Sequence, residues 1–154
     1  MAMVMAAGGH FASAVSAARL RKGRLSRKLV GVFPVQTPLP ELVAQLNRFR
    51  PAVVDAYASM AALLASEQEA GRLHIDPVLV IVTAEGMPTS EYDRIAKVFN
   101  TNVGNSYAAT ECPFLSYGCE HGWLHVNSDW VVLEPVDADY RPTPPGEPVN
   151  PVVP

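Results

Sequence analysis

The sequence predicts an α/β protein: a three-layer arrangement with a mostly parallel sheet flanked by helices, followed by a small antiparallel β appendage. Three observations predict it. Short apolar runs alternate with segments of helical period, the connections between them are short, and the pattern changes after Gly118. The chain has 154 residues, about one domain's worth, with 49% apolar and 18% charged residues. That composition excludes wholesale disorder, a low-complexity chain and a coiled coil. A formal charge of −3 is too small to dictate a polyanionic or polycationic partner.

Taken in order, the apolar start Met1–Ala14 reads as a buried strand and a glycine turn at Gly8-Gly9. It lacks the basic n-region and the unbroken apolar core of a signal peptide. Leu39, Leu42, Val43, Leu46 and Phe49 recur at helical spacing, with Thr37 as the expected cap and Pro38 at the first helical position. Ala52-Val53-Val54 reads as a short strand. Met60, Leu63 and Leu64 carry a second helix after Ser59, and Gly71 is its expected stop. Val78–Val82 is a continuous run that suits a parallel strand buried on both faces. Tyr92, Ile95, Ala96 and Phe99 form a third helical face, opened by Thr89 and Ser90. Leu124–Asn127 and Trp130–Glu134 are expected to pair as an antiparallel hairpin. Seven of the fourteen prolines fall between Pro135 and Pro154, which predicts an extended tail. The expected units are therefore an α/β body over 1–118, a hairpin over 119–141 and a proline-rich tail over 142–154.

In a parallel α/β sheet, ligands bind beyond the carboxyl ends of the strands. Two such ends are chemically loaded: Thr83-Ala84-Glu85-Gly86 after the Val78–Val82 run, and Asn105-Ser106-Tyr107-Ala108-Ala109-Thr110-Glu111 after the segment containing Val103. A phosphate site needs a hydroxyl donor near closely approaching backbone, and magnesium needs a hard carboxylate oxygen. Taken alone, a hydroxyl beside a carboxylate at a strand end is ordinary loop polarity.

The Tyr-Ala-Ala-Thr-Glu stretch resembles the Tyr-Gly-x-Thr-Glu motif of adenylate-forming (AMP-binding) enzymes. More specifically, the chain resembles their phenylacetate–CoA ligase-like branch, which includes coenzyme F420 adenylating relatives. Further matches follow in the family's order: Ala7-Gly8-Gly9-His10-Phe11, Leu39-Pro40-Glu41, Phe49-Arg50-Pro51, Thr83-Ala84-Glu85, Leu124-His125-Val126-Asn127 with Asp129-Trp130, and Leu133-Glu134-Pro135-Val136-Asp137.

The resemblance implies the large N-terminal domain of such a ligase as the fold, ATP or AMP, magnesium and CoA as cofactors, and a small carboxylate as substrate. It implies that Thr110 contacts the AMP α-phosphate, that Glu111 binds magnesium, and that Tyr107 stacks on adenine or lines the acyl pocket. It sets Ala84, Glu85 and Gly86 at the adenine edge with Asn105, Ser106 and Ala108 beside it. The implied reaction is attack of a carboxylate on the α-phosphate of ATP, release of pyrophosphate and capture of the acyl adenylate by CoA. Against the family pattern, a phosphate loop, a ribose-binding Asp and a Lys-bearing C-terminal domain are missing from these 154 residues. The chain is therefore expected to be an internal slice of a ligase, inactive in isolation, with 1–118 as a partial nucleotide-binding subdomain and with exposed apolar faces that drive self-association.

Cys112, Cys119, His121 and His125 lie within fourteen residues, and all four are zinc ligands by type. Two readings stand: a closed zinc shell that pins the hairpin, or a half-buried Cys112 with histidines on an exposed hairpin. His10 is either a contact for acyl substrate or CoA, or a turn histidine. Residues 19–28 hold Arg19, Arg21, Lys22, Arg24, Arg27 and Lys28, six of the twelve basic residues. With no aromatic residue among them they read as a solvated helix end, so neither nucleic acid nor membrane is expected as a partner. Two cysteines make no disulfide scaffold and predict a reduced, cytoplasmic setting. The expected function is thus an adenylate-forming ligase slice; the alternative is a non-catalytic remnant or a zinc-stabilised binding module.

Overall fold

The computed structural model describes residues 1–6, 17–109, 112, 115–119, 123–137, 139–144 and 146. Its elements are β1 (Ala2–Met5), a one-turn α1 (Ser26–Leu29), β2 (Gly31–Pro34), α2 (Leu39–Phe49), β3 (Val53–Tyr57), α3 (Ala58–Glu69), β4 (Leu79–Thr83), α4 (Thr89–Phe99), β5 (Asn102–Asn105), β6 (Ser116–Gly118) and β7 (Leu124–Val126). Strands β2-β1-β3-β4-β5 form one sheet in that order, and every pairing in it is parallel. β6 and β7 form a separate antiparallel pair.

The order explains the layering. The step from β1 to β2 runs one way along the sheet and the steps from β2 through β3 and β4 to β5 run the other. Right-handed crossovers must then place the first connection on one face and the later helices on the opposite face. Accordingly, Ala2, Val4, Phe33, Val54, Ala56, Val80 and Val82 pack in one cluster with Leu42, Leu46, Leu64 and Ile95 from the three long helices. Met3 and Met5 face the other way and, among the described buried residues, meet Ala17 and Val30. Among the described residues, the strand predicted to be buried on both faces is covered on one. Val80 and Val82 are buried, whereas Leu79, Ile81 and Thr83 are half-buried, because no described helix crosses that side of β4.

Local chemistry sets the helix ends. Pro38, not Thr37, is the N-cap of α2, with ψ 134° and its carbonyl accepting from the Glu41 and Leu42 amides. Pro40 falls in the first turn, where its missing donor is harmless. Gly71 follows the end of α3 at φ 68°, the left-handed conformation expected of a stop. Helices α3 and α4 are clasped by Arg94, whose guanidinium reaches Glu69 (2.9 Å), Glu91 (3.0 Å) and the Ala62 carbonyl (3.0 Å). The loop into β4 is held by Gln68, which both donates to and accepts from Ile75, and by Asn47, which does the same for Arg72 and His74.

The hairpin differs from expectation in its partners. Trp130–Glu134 is not a strand; β7 pairs instead with β6, Ser116 opposite Val126. The Trp130 and Val131 amides both donate to the Asn127 carbonyl, so the chain is turning where a second strand would begin. In the core, Leu42 has no exposure. Leu42→Ala is expected to lower unfolding free energy by about 2–5 kcal/mol in urea titration. Leu25→Ala, at a side chain 70% exposed, is expected to change it by no more than about 0.5 kcal/mol.

Candidate functional site

The direction of crossover reverses between β1 and β3, and the crevice beyond the carboxyl ends of those strands is where this architecture takes ligands. The end of β3 carries Tyr57, whose hydroxyl accepts a hydrogen bond from the Ala6 amide at 3.2 Å and so ties the ends of β1 and β3 together. Directly after β3, α3 begins with no side-chain cap of its own. Glu85 supplies one from the neighbouring strand end: its Oε2 accepts from the Ser59 amide at 2.7 Å. A carboxylate at a helix N-terminus also meets the positive end of the helix dipole.

Between Thr83 and Glu85 the chain turns at Ala84, a non-glycine residue with φ 66°. Left-handed alanine costs roughly 1–2 kcal/mol, so the ties on either side hold a conformation that alanine alone would leave. One tie is Glu85 on Ser59. The other is Thr83, paired with Tyr57 in the sheet register.

The parallel register sets Val82 opposite Asn105, so Ala84–Gly86 and Ser106–Ala108 leave adjacent strands side by side. This brings together the two predicted segments up to Ala108. Tyr107 is fixed by its backbone, its amide donating to Ser116 Oγ at 3.2 Å and its carbonyl accepting from the Ser116 amide at 3.1 Å. β6 thereby docks on the end of β5. The contact demands glycine at 118, since a Cβ there would come within 2.8 Å of the Asn105 carbonyl oxygen. Ala109 and Cys112 exchange both backbone hydrogen bonds. Thr110, Glu111, His121 and His10 lie outside the described residues.

Cys112 and Cys119 are free thiols of intermediate exposure. His125, on β7, stacks on Tyr117 with ring centroids 5.4 Å apart. Among the described residues no three His, Cys, Asp or Glu side chains gather as a metal site. A shallow groove lined by Asp76, Pro77, Val78 and Asn100–Asn102 lies at the opposite, amino-terminal end of β4 and β5. The switch point lies at the other, carboxyl-terminal end of the sheet.

Sequence reasoning missed Asp55. It sits in β3 between Met3 and Ile81, on the face opposite the three long helices, and its Oδ1 is buried with no hydrogen-bond partner among the described residues. A lone carboxylate inside Val53-Val54-Asp55-Ala56-Tyr57 was the available signal. Burial pushes its carboxyl up to about 6, and the hydrogen bond from Thr83 offsets part of that rise.

No family profile matches the sequence, and no curated protein does. Solved structures match in fold. A 2-hydroxyisobutyryl-CoA ligase, in an open conformation with 2-HIB-AMP and CoA, superposes with a TM-score of 0.69 at 20% identity, over 95% of this chain and 34% of that one. A benzoate CoA ligase from Burkholderia xenovorans LB400 gives 0.62 at 19% identity, over 95% and 31%. The anthranilate CoA ligase AuaEII, in complex with anthranoyl-AMP, gives 0.61 at 14%, over 95% and 30%. The chain thus has the fold of about one third of these ligases.

Asp55 generates a pH prediction. A carboxyl raised in the folded state is stabilised there in its protonated form. Its contribution is therefore present at low pH and is lost as pH rises from about 4 through about 6. Urea midpoints compared between wild type and Asp55→Asn are expected to diverge over that window. The variant should be the more stable above pH 6, by on the order of 2 kcal/mol.

Proposed function

We propose that this chain forms the nucleotide-facing α/β portion of an adenylate-forming ligase of the phenylacetate–CoA ligase-like branch. Such an enzyme activates a carboxylic acid as its acyl adenylate and passes the acyl group to CoA. One observation carries the reading. The fold is shared with ligases whose structures hold acyl-AMP, and in it Ala84–Gly86 and Ser106–Ala108, which belong to segments resembling the family's motifs, leave the adjacent strands β4 and β5 side by side.

In this reading a carboxylate oxygen attacks the α-phosphorus, the bond to the bridging oxygen breaks, and its electron pair leaves with pyrophosphate. The chain's part is positioning and charge stabilisation. The Thr110 hydroxyl donates to the α-phosphate and Glu111 holds magnesium, which when bound neutralises phosphate charge. Tyr107 stacks on the adenine or borders the acyl pocket. Asn105, Ser106 and Ala108 flank the base with Ala84 and Gly86. Because the Glu85 carboxylate is already engaged by Ser59, its work at that edge is to hold the Ala84 backbone for the base. Capture by CoA and a cytoplasmic setting belong to the same proposal.

The test uses the chain as it stands. Ligand-observed NMR is expected to detect AMP, with Tyr107→Ala and Thr110→Val each weakening binding at least about tenfold, equivalent to 1.4 kcal/mol. AMP contact that neither variant weakens overturns the site. Pyrophosphate exchange is expected to stay at background. Its three lysines, Lys22, Lys28 and Lys97, all precede the Thr110-Glu111 pair, and losing one transition-state donor commonly costs about 2–4 kcal/mol. Exchange abolished by Glu111→Ala would show instead that the chain carries a complete catalytic set.

A second reading, a zinc-stabilised binding module, is favoured by the two free thiols on either side of β6 and by His125 on the strand paired with it. Their donor types suit a closed tetrahedral shell with Cys112, Cys119, His121 and His125. Elemental analysis should then give near-stoichiometric zinc, and a chelator should lower Tm, since only the folded chain gathers the ligands. Metal-free protein of unchanged Tm returns these four to ordinary hairpin residues.

A further inference from the structure

The six cations of residues 19–28 stand in a stretch without a single acidic residue. The salt bridges among the described residues, Arg72 with Glu67 and Arg94 with Glu69 and Glu91, use none of them. Leucines are interspersed with the cations on the surface: Leu20, Leu25 and Leu29 are 47%, 70% and 58% exposed. Beyond that stretch the chain carries six basic and fifteen acidic residues, a net charge of −9.

Part of that excess is concentrated in a second exposed stretch. Asp129, Glu134, Asp137 and Asp139 lie together with no cation before Arg141. Beside them Trp130, Val132 and Tyr140 are 86%, 86% and 78% exposed. Single exposed apolar side chains need no explanation. Two stretches of opposite charge, each with a row of large apolar side chains in water, match the make-up of two sides of an interface.

Topology separates them. The basic stretch connects β1 to β2, the strand at one edge of the sheet, while the acidic stretch follows the hairpin docked on β5, the strand at the other. We propose that residues 19–29 of one chain dock on residues 129–140 of a second copy. A chain whose basic edge is engaged still offers its acidic edge, so the contact is heterologous and assembly runs head to tail. A nucleic acid or an anionic bilayer would engage the basic stretch alone and leave Trp130, Val132 and Tyr140 in water. The apolar rows on both sides favour the protein partner.

Sedimentation velocity of the full chain tests this. The weight-average sedimentation coefficient is expected to rise with concentration at low ionic strength, and added salt should weaken association at least about tenfold. Two variants at exposed positions reverse the charges. One combines Arg19→Glu, Arg21→Glu, Lys22→Glu and Arg24→Glu, and the other combines Asp129→Lys, Glu134→Lys and Asp139→Lys, with circular dichroism confirming that both fold. Each alone should be monomeric, and an equimolar mixture should associate again, because every stretch then meets its opposite.

A wild type that stays monomeric at every concentration and salt overturns the proposal. So does association that survives both reversals, which would assign it to another surface. A mixture that fails to associate overturns it as well. Binding to RNA or phosphatidylserine vesicles by a monomeric wild type would reassign the basic stretch to a polyanion.

Discussion

Right-handed crossovers between parallel strands constrain nearly everything else in this molecule. Once β2 has formed on one side of β1 and β3 on the other, the later helices must share a face, and the crevice must open where the direction changes. Among the described residues no helix packs on the second face of β4, and Asp55, on that face of β3, keeps a buried oxygen that no described group satisfies. The loaded strand ends follow from the register: Val82 opposite Asn105 is what makes Ala84 and Tyr107 neighbours.

How much of this was legible in the residues depends on whether the signal was local. Helices α2 and α4 were, because Leu42, Val43 and Leu46, or Ile95 and Phe99, repeat at the helical period within a dozen residues; in α3 the expected Leu63 is exposed, and Ala58, Ala61, Leu64 and Ala65 form the buried face instead. The stop at Gly71 was, because only a left-handed residue ends a helix that way cheaply. Strand β4 was readable to within one residue, but its half-covered state was not. Continuous β-branched sequence says that a strand can be buried on two sides, while the packing of distant segments decides whether it is.

The hairpin shows the opposite error. Trp130-Val131-Val132-Leu133 has ideal strand composition and no partner, whereas Ser116-Tyr117-Gly118 has poor composition and a partner already in place. Strand propensity measures fit to a pleated surface, and here that surface was supplied by the end of β5. At the candidate site the two segments were named from sequence. Their mutual supports were not: Glu85 on Ser59, Tyr57 on Ala6 and Thr83 beside Tyr57 join residues 26 to 51 positions apart. Nothing in a linear reading brings such pairs together.

Ala84 acts on the unfolded chain as well as on the folded turn. Glycine would adopt φ 66° without strain, yet it would also leave the strand-end loop free to sample the mirror-image regions of backbone space. Alanine narrows that ensemble, and its neighbours' hydrogen bonds select the rare conformer during folding. The ordering entropy of the turn is thus charged to folding. A molecule arriving at this edge of the sheet meets a shape already chosen, and its affinity does not carry the cost of choosing it.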